Sequence, residues 1–135
     1  MRILITVITI NLLMLFAAHQ AQAISPVKEA KTKDWLQTAM PVIKSAYACK
    51  WQEKHDFLQG AMDLAYTHAG AVDDMDKMIV DMWYTGIEME FDYGGGDYSK
   101  AVKYIKANPN NADVIQQCEQ LYNQVLDDML FIINY

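Results

Sequence analysis

Cys49 and Cys118 are the only cysteines in this 135-residue chain, and they lie 69 positions apart behind an amino terminus that reads as an export signal. An exported chain meets an oxidising compartment, where an even pair of thiols closes into a disulfide and a small domain gains from the cross-link. Closing a loop of that length stabilises the fold by about 4 kcal/mol through the unfolded chain it restricts. The competing reading is two buried free thiols. A cross-link of such reach ties the first half of the fold to its last segment.

The export signal rests on residues 1–23. Arg2 is their only charge, an apolar run follows, and Ala21-Gln22-Ala23 forms a small-x-small cleavage site. Asn11 interrupts the run, and His19 and Gln20 close it early, so it is short for a membrane-spanning helix. The pattern predicts removal after Ala23 and a periplasmic or secreted product. No cysteine follows the site, so a lipid anchor is not expected. Residues 24–135 make one modest domain.

The chain carries a net charge of −6, and Arg2, its only arginine, leaves with the signal, which takes the balance to −7. Such a surface repels nucleic acid and anionic lipid, so neither nucleic acid nor, after cleavage, a membrane is an expected partner. It favours a cationic protein partner, or serves solubility alone.

Residues 24–33 are polar, basic and aperiodic, which predicts a flexible amino-terminal arm ahead of a helical domain over 34–135. Pro41 either opens a helix at its first turn or kinks one begun near Asp34. Val42, Ile43, Ala46, Cys49, Phe57, Ala61, Leu64 and Ala65 then recur at steps of three and four, and Gly70 supplies a stop. The next helix carries Val72, Met75, Ile79, Met82, Trp83, Gly86 and Met89 on one stripe, with Asp73, Asp74 and Asp76 suited to the positive end of its dipole. Gly94-Gly95-Gly96 breaks it. Ser99 is a cap for a short helix that Asn108-Pro109 ends. The last helix has a wide apolar face from Val114 to Ile133 that includes Cys118. No stretch alternates with period two. The predicted fold is all-α, a small bundle of four to five helices stapled by Cys49 and Cys118.

No catalytic constellation, metal site or cofactor motif is legible. Of the histidines that follow the signal, His55 and His68 match no zinc spacing, and Glu53-Lys54-His55-Asp56 lacks a second histidine four residues on. The paired acids Asp73/Asp74, Glu88/Glu90 and Asp127/Asp128 do not share a helix face. The absence of arginine after the signal argues against an Arg-based enzyme site for a small anion. These features point to a binding protein and not to an enzyme.

Two features could carry binding. Met75, Met78, Met82 and Met89 could form an adaptable groove, but their place along the expected inner stripe favours core filling. The segment Asp92-Tyr93-Gly94-Gly95-Gly96-Asp97-Tyr98 places a flexible glycine centre between acids and tyrosines, a composition suited to partner contact. An ordinary linker with its tyrosines folded back is the other reading.

The run Cys118-Glu119-Gln120-Leu121-Tyr122-Asn123-Gln124-Val125-Leu126-Asp127-Asp128-Met129-Leu130 resembles the last helix of periplasmic immunity proteins that neutralise type VI secretion amidase effectors. Lys50-Trp51 and the triple glycine have no counterpart in that resemblance. It implies a signal peptide, a small helical bundle, and an early cysteine, here Cys49, paired with the last-helix Cys118. It also implies an inhibitor, commonly homodimeric, that blocks a peptidoglycan-cleaving enzyme by a loop or helix end. Loop chemistry, not the resemblance, makes Asp92–Tyr98 the expected element, and the acidic surface would steer a cationic effector. The alternative is an HdeA-like acid-stress periplasmic chaperone, which exposes apolar surface once its carboxylates are protonated.

Overall fold

The computed structural model describes residues 24–133, with side chains described as far as Asp127. The described residues form five helices: α1 Pro26–Ala48, α2 Lys54–Ala69, α3 Asp74–Tyr93, α4 Asp97–Ala107 and α5 Ala112–Ile133. No strand occurs among them. The chain is a small all-α bundle with one disulfide, Cys49 to Cys118. The expected signal over 1–23 lies outside the described residues.

Residues 24–33 are not a loose arm. Ser25 caps α1 by accepting the Lys28 N–H on Oγ at 3.3 Å, and Pro26 takes the first helical turn, where a missing N–H costs nothing. Thr32 is fully buried and donates its hydroxyl to the Lys28 carbonyl at 2.7 Å. The Lys28 side chain lies against Gly70 of the α2 end, and the Lys33 ammonium sits 5.5 Å from the Trp83 ring centre of α3. Contacts with two other helices therefore order a segment whose own composition is polar. Pro41 does not open a new helix, because α1 runs continuously through it. Its missing N–H removes only the bond to the Gln37 carbonyl.

The apolar pattern running from α1 into α2 is cut by a turn without glycine. Trp51 N–H donates to the Ala46 carbonyl at 3.0 Å and Lys50 N–H to the Tyr47 carbonyl at 3.2 Å. Lys50 takes φ +57°, the left-handed conformation usually given to glycine. Trp51 then packs on Ala46, Phe57 and Val125. The end of α2 repeats the design with Gly70 at φ +66° and Ala71 N–H donating to the Tyr66 carbonyl at 2.9 Å. At the start of α3, Asp73 accepts the Asp76 N–H at 2.8 Å.

Helix α1 is the spine. Leu36 and Met40 are buried among Ala65, Ala69, Val80 and Ile87, each stabilising the fold by about 2 to 3 kcal/mol. The alanines of α2 let the two helix backbones approach. Helix α5 closes the bundle through Val114, set among Ala48, Val102 and Ile105, and through Val125. Cys118 holds it to Cys49 with a Cα–Cα distance of 5.7 Å. The Tyr122 hydroxyl donates to Glu53 at 3.1 Å, and its ring meets Trp51 edge-on at 5.3 Å. Open grooves flank this helix. One of about 710 Å³ runs past Trp51, Pro109, Ile115 and Tyr122. Another of about 860 Å³ lies between Pro41, Phe91, Tyr98, Val102 and Leu121. Ile115 and Leu126 remain exposed, so the wide apolar face expected on α5 is only partly covered. The side chains of Met129, Leu130 and Ile133 fall outside the description.

Candidate partner-binding surface

Helix α3 carries two apolar rows, each at steps of three and four. Val80 and Ile87 are buried, and Trp83, Tyr84 and Phe91 pack against the same core. The expected inner stripe is therefore split: Trp83 turns inward, while Val72, Met75, Met82 and Met89 face solvent. Met75, Met78, Met82 and Met89 are 54–66 % exposed, which overturns their reading as core filling. Helices α1 and α2 can cover only one side of α3. The aromatic and β-branched row buries more apolar area, and that row is covered.

The outer row runs Met75, Met78, Met82, Gly86, Met89 and Tyr93 along a helix of about 30 Å. Unbranched thioethers adapt to irregular partners, which makes this exposed apolar row a candidate interaction surface. Its borders are acidic. Asp74, Asp81, Glu88 and Asp92 follow one edge, with Lys77 as the one cation of the helix among them, and Glu90 lies near the other by helical geometry.

Part of that edge ties the helices together. The Lys44 ammonium of α1 lies 3.0 Å from both Glu88 and Asp92. Burial alone would pull its pKa down, but the hydrogen bonds to the two carboxylates outweigh it and hold the ammonium above its ordinary value. Tyr84 donates to Glu88 at 3.1 Å; burial first, and then the Glu88 charge, push its phenol well above the usual range. Tyr66 donates to Asp81, and that bond, with burial added, pushes it up to about 12. The Tyr47 hydroxyl and His55 Nδ1 stand 2.9 Å apart. None of these residues lines either groove. Their geometry fits ties between helices. Among the described residues no group of three or more His, Cys, Asp or Glu could hold a metal ion, and no helix is long and apolar enough to cross a membrane.

The segment from Asp92 to Tyr98 is not a seven-residue loop. Asp92 and Tyr93 end α3, Asp97 and Tyr98 open α4, and Gly94, Gly95 and Gly96 alone make the corner. Gly96 occupies the cap position assigned to Ser99, which is buried with its hydroxyl 3.5 Å from the Asp92 carbonyl. A Cβ on Gly94 would run into the Glu90 carbonyl oxygen, and Gly95 sits at φ +67°. Two of the glycines thus serve the turn. Asp92 is engaged by Lys44, whereas Tyr93 and Tyr98 are 84 % and 70 % exposed. Tyr93 extends the methionine row, and Tyr98 stands at the edge of the larger groove.

These features define a class: a small, disulfide-stapled helical bundle with a methionine-rich outer face. Comparison of the chain with protein-family models, with curated proteins and with solved structures gives no match.

Proposed function

We propose that this chain is an exported binding protein of the immunity type, which occupies and blocks a cationic cell-wall-degrading effector in the periplasm. The observation that supports a binding role is the uncovered row of methionines and Tyr93 on α3. Exposed apolar surface is retained in a folded protein when a partner covers it for part of its life. The acidic border and the net charge of −6 would steer a basic partner and speed its association. The resemblance of the Cys118–Leu130 run to immunity proteins supplies the hydrolase as partner class. The row is already exposed in the folded chain, so acid loosening is not needed to present it, which favours this reading over the acid-stress chaperone.

The test is protection. A hydrolase or other toxin encoded beside this gene is expressed in the periplasm with and without the chain. Survival that depends on export of the chain supports the reading. Lysis at the same rate in both strains, or a gene standing alone in a stress operon, overturns it.

A further inference from the structure

The outer face of α3 has one position where a partner backbone can come closer than anywhere else. Gly86 lies between Met82 and Met89 in the exposed row, and a Cβ added there would meet nothing within 4 Å. No neighbour in the fold requires a glycine, although glycine in a helix interior is costly relative to alanine. Unlike Gly94 and Gly95, it serves no turn. A side-chain-free spot flanked by flexible thioethers forms a shallow saddle, and such a saddle admits a crossing helix at short interaxial distance.

The border decides the chemistry of what crosses. Asp74, Asp81 and Glu88 recur every seven residues along one edge, and Lys44 pairs with Glu88 and Asp92. Lys77, between Asp74 and Asp81, lies 5.7 Å from the Tyr66 ring centre and, among the described residues, forms no ion pair with either, so acids outnumber cations along the edge. Asp74 and Asp81, like Glu90 across the face, make no ion pair there. A second copy would bring these acids against their own kind, and an anionic membrane would meet the same repulsion. An amphipathic helix with apolar residues on one side and lysines along its flanks matches both the row and its edge.

We infer that the Met75–Tyr93 face of α3 docks a cationic amphipathic helix of its partner, with closest approach at Gly86. This deepens the binding role proposed above by naming the surface and the partner's shape, and it rests on that role.

The full gene product, as cells leave it and with its disulfide intact, is titrated into a dye-labelled peptide of about 20 residues, long enough to span the face, built from leucine and lysine at helical spacing. A glutamate-for-lysine peptide and a shuffled peptide of identical composition serve as controls. Expected is saturable binding of the first, none of the second, and a loss of at least roughly tenfold for the third. Gly86→Ala should raise the thermal midpoint of the free chain yet weaken peptide binding, Gly86→Leu should weaken it further, and Met82→Gln should weaken it with no change in charge. Equal binding of ordered and shuffled peptides, or by the Gly86 variants and the parent, overturns the inference. So does a dimer of the free chain that Met82→Gln dissociates, or binding to anionic phospholipid vesicles that the same variant abolishes. The cell-protection assay reads independently: protection unaffected by Met82→Gln would reject this face while leaving the immunity role standing, and loss of the role would leave the peptide result intact.

Discussion

Lys44 of α1 and Asp92 of α3 stand 3.0 Å apart, ammonium to carboxylate, at the point where α3 approaches its glycine corner. The same ammonium reaches Glu88 one turn earlier, so one cation holds two acids that would otherwise repel each other. The Lys44 side chain is mostly buried while its partners are part-exposed, which places the pair between a surface bridge and a core one. Lys44→Met keeps the aliphatic stem and removes the charge. It should cost about 1 to 2 kcal/mol in chemical denaturation at neutral pH, more than Lys33→Met, whose exposed bridge to Glu29 spans one turn of a single helix. Because the folded ammonium holds its proton more tightly than the unfolded one, the contribution is complete below pH 10.5 and fades as pH rises past it.

Tyr66 offers a second alkaline marker. Its phenol is pushed from 10.0 to about 12 by the bond to Asp81 and by burial, so the folded chain keeps a proton that the unfolded chain releases. The linkage favours folding fully below pH 10 and is lost as pH climbs toward about 12. Asp81→Asn keeps an acceptor but removes the charge. Ultraviolet titration of tyrosinate should then show one phenol ionising at lower pH than in the parent; an unchanged curve would contradict the assigned bond.

Lys50 holds a left-handed conformation that glycine adopts without strain. Among the described residues its side chain makes no hydrogen bond or ion pair. Lys50→Gly should therefore stabilise the chain by about 1 kcal/mol, the part of the left-handed penalty left after glycine's extra unfolded freedom. A denaturation midpoint that falls would show that the lysine does something the turn does not explain.

Helix α5 depends on its bridge. Reduction, or Cys118→Ala, should cost about 2 to 4 kcal/mol, and backbone hydrogen exchange should rise first in α5 while α1 to α3 keep their protection. Tyr122→Phe, which removes only the hydroxyl donated to Glu53, should have a far smaller effect.

The helices and most of the breaks were legible because their signals are local, and the disulfide because two cysteines allow only one pairing. The acids at the start of α3, Gly70 as a stop and Asn108-Pro109 as a break act through the chain's own backbone, although Asp73 proves to be the cap and not one of the first-turn acids expected there. The start of α1 was also signalled by Ser25-Pro26, but the polar run that follows hid it, since only contacts with Gly70 and Trp83 show that those residues are ordered. The break after Cys49 was hidden because a lysine sits where glycine is the usual marker. The side of α3 that faces inward was not legible at all. Periodicity identifies rows, and α3 has two; which one is covered depends on α1 and α2, whose placement no local pattern fixes. Of the expected binding segment, Tyr93 and Tyr98 remain on the surface, while Asp92 and two glycines turned out to serve the fold.

Four thioethers facing water also set a chemical vulnerability. Peroxide or hypochlorite converts an accessible methionine to its sulfoxide by adding one oxygen, which makes an apolar side chain polar and chiral. Met40, sealed in the core, is shielded from that reaction by its neighbours. Mild oxidation would therefore make the exposed row polar while sparing the scaffold beneath it, leaving a chain that is still folded but stripped of the apolar face inferred to dock a partner.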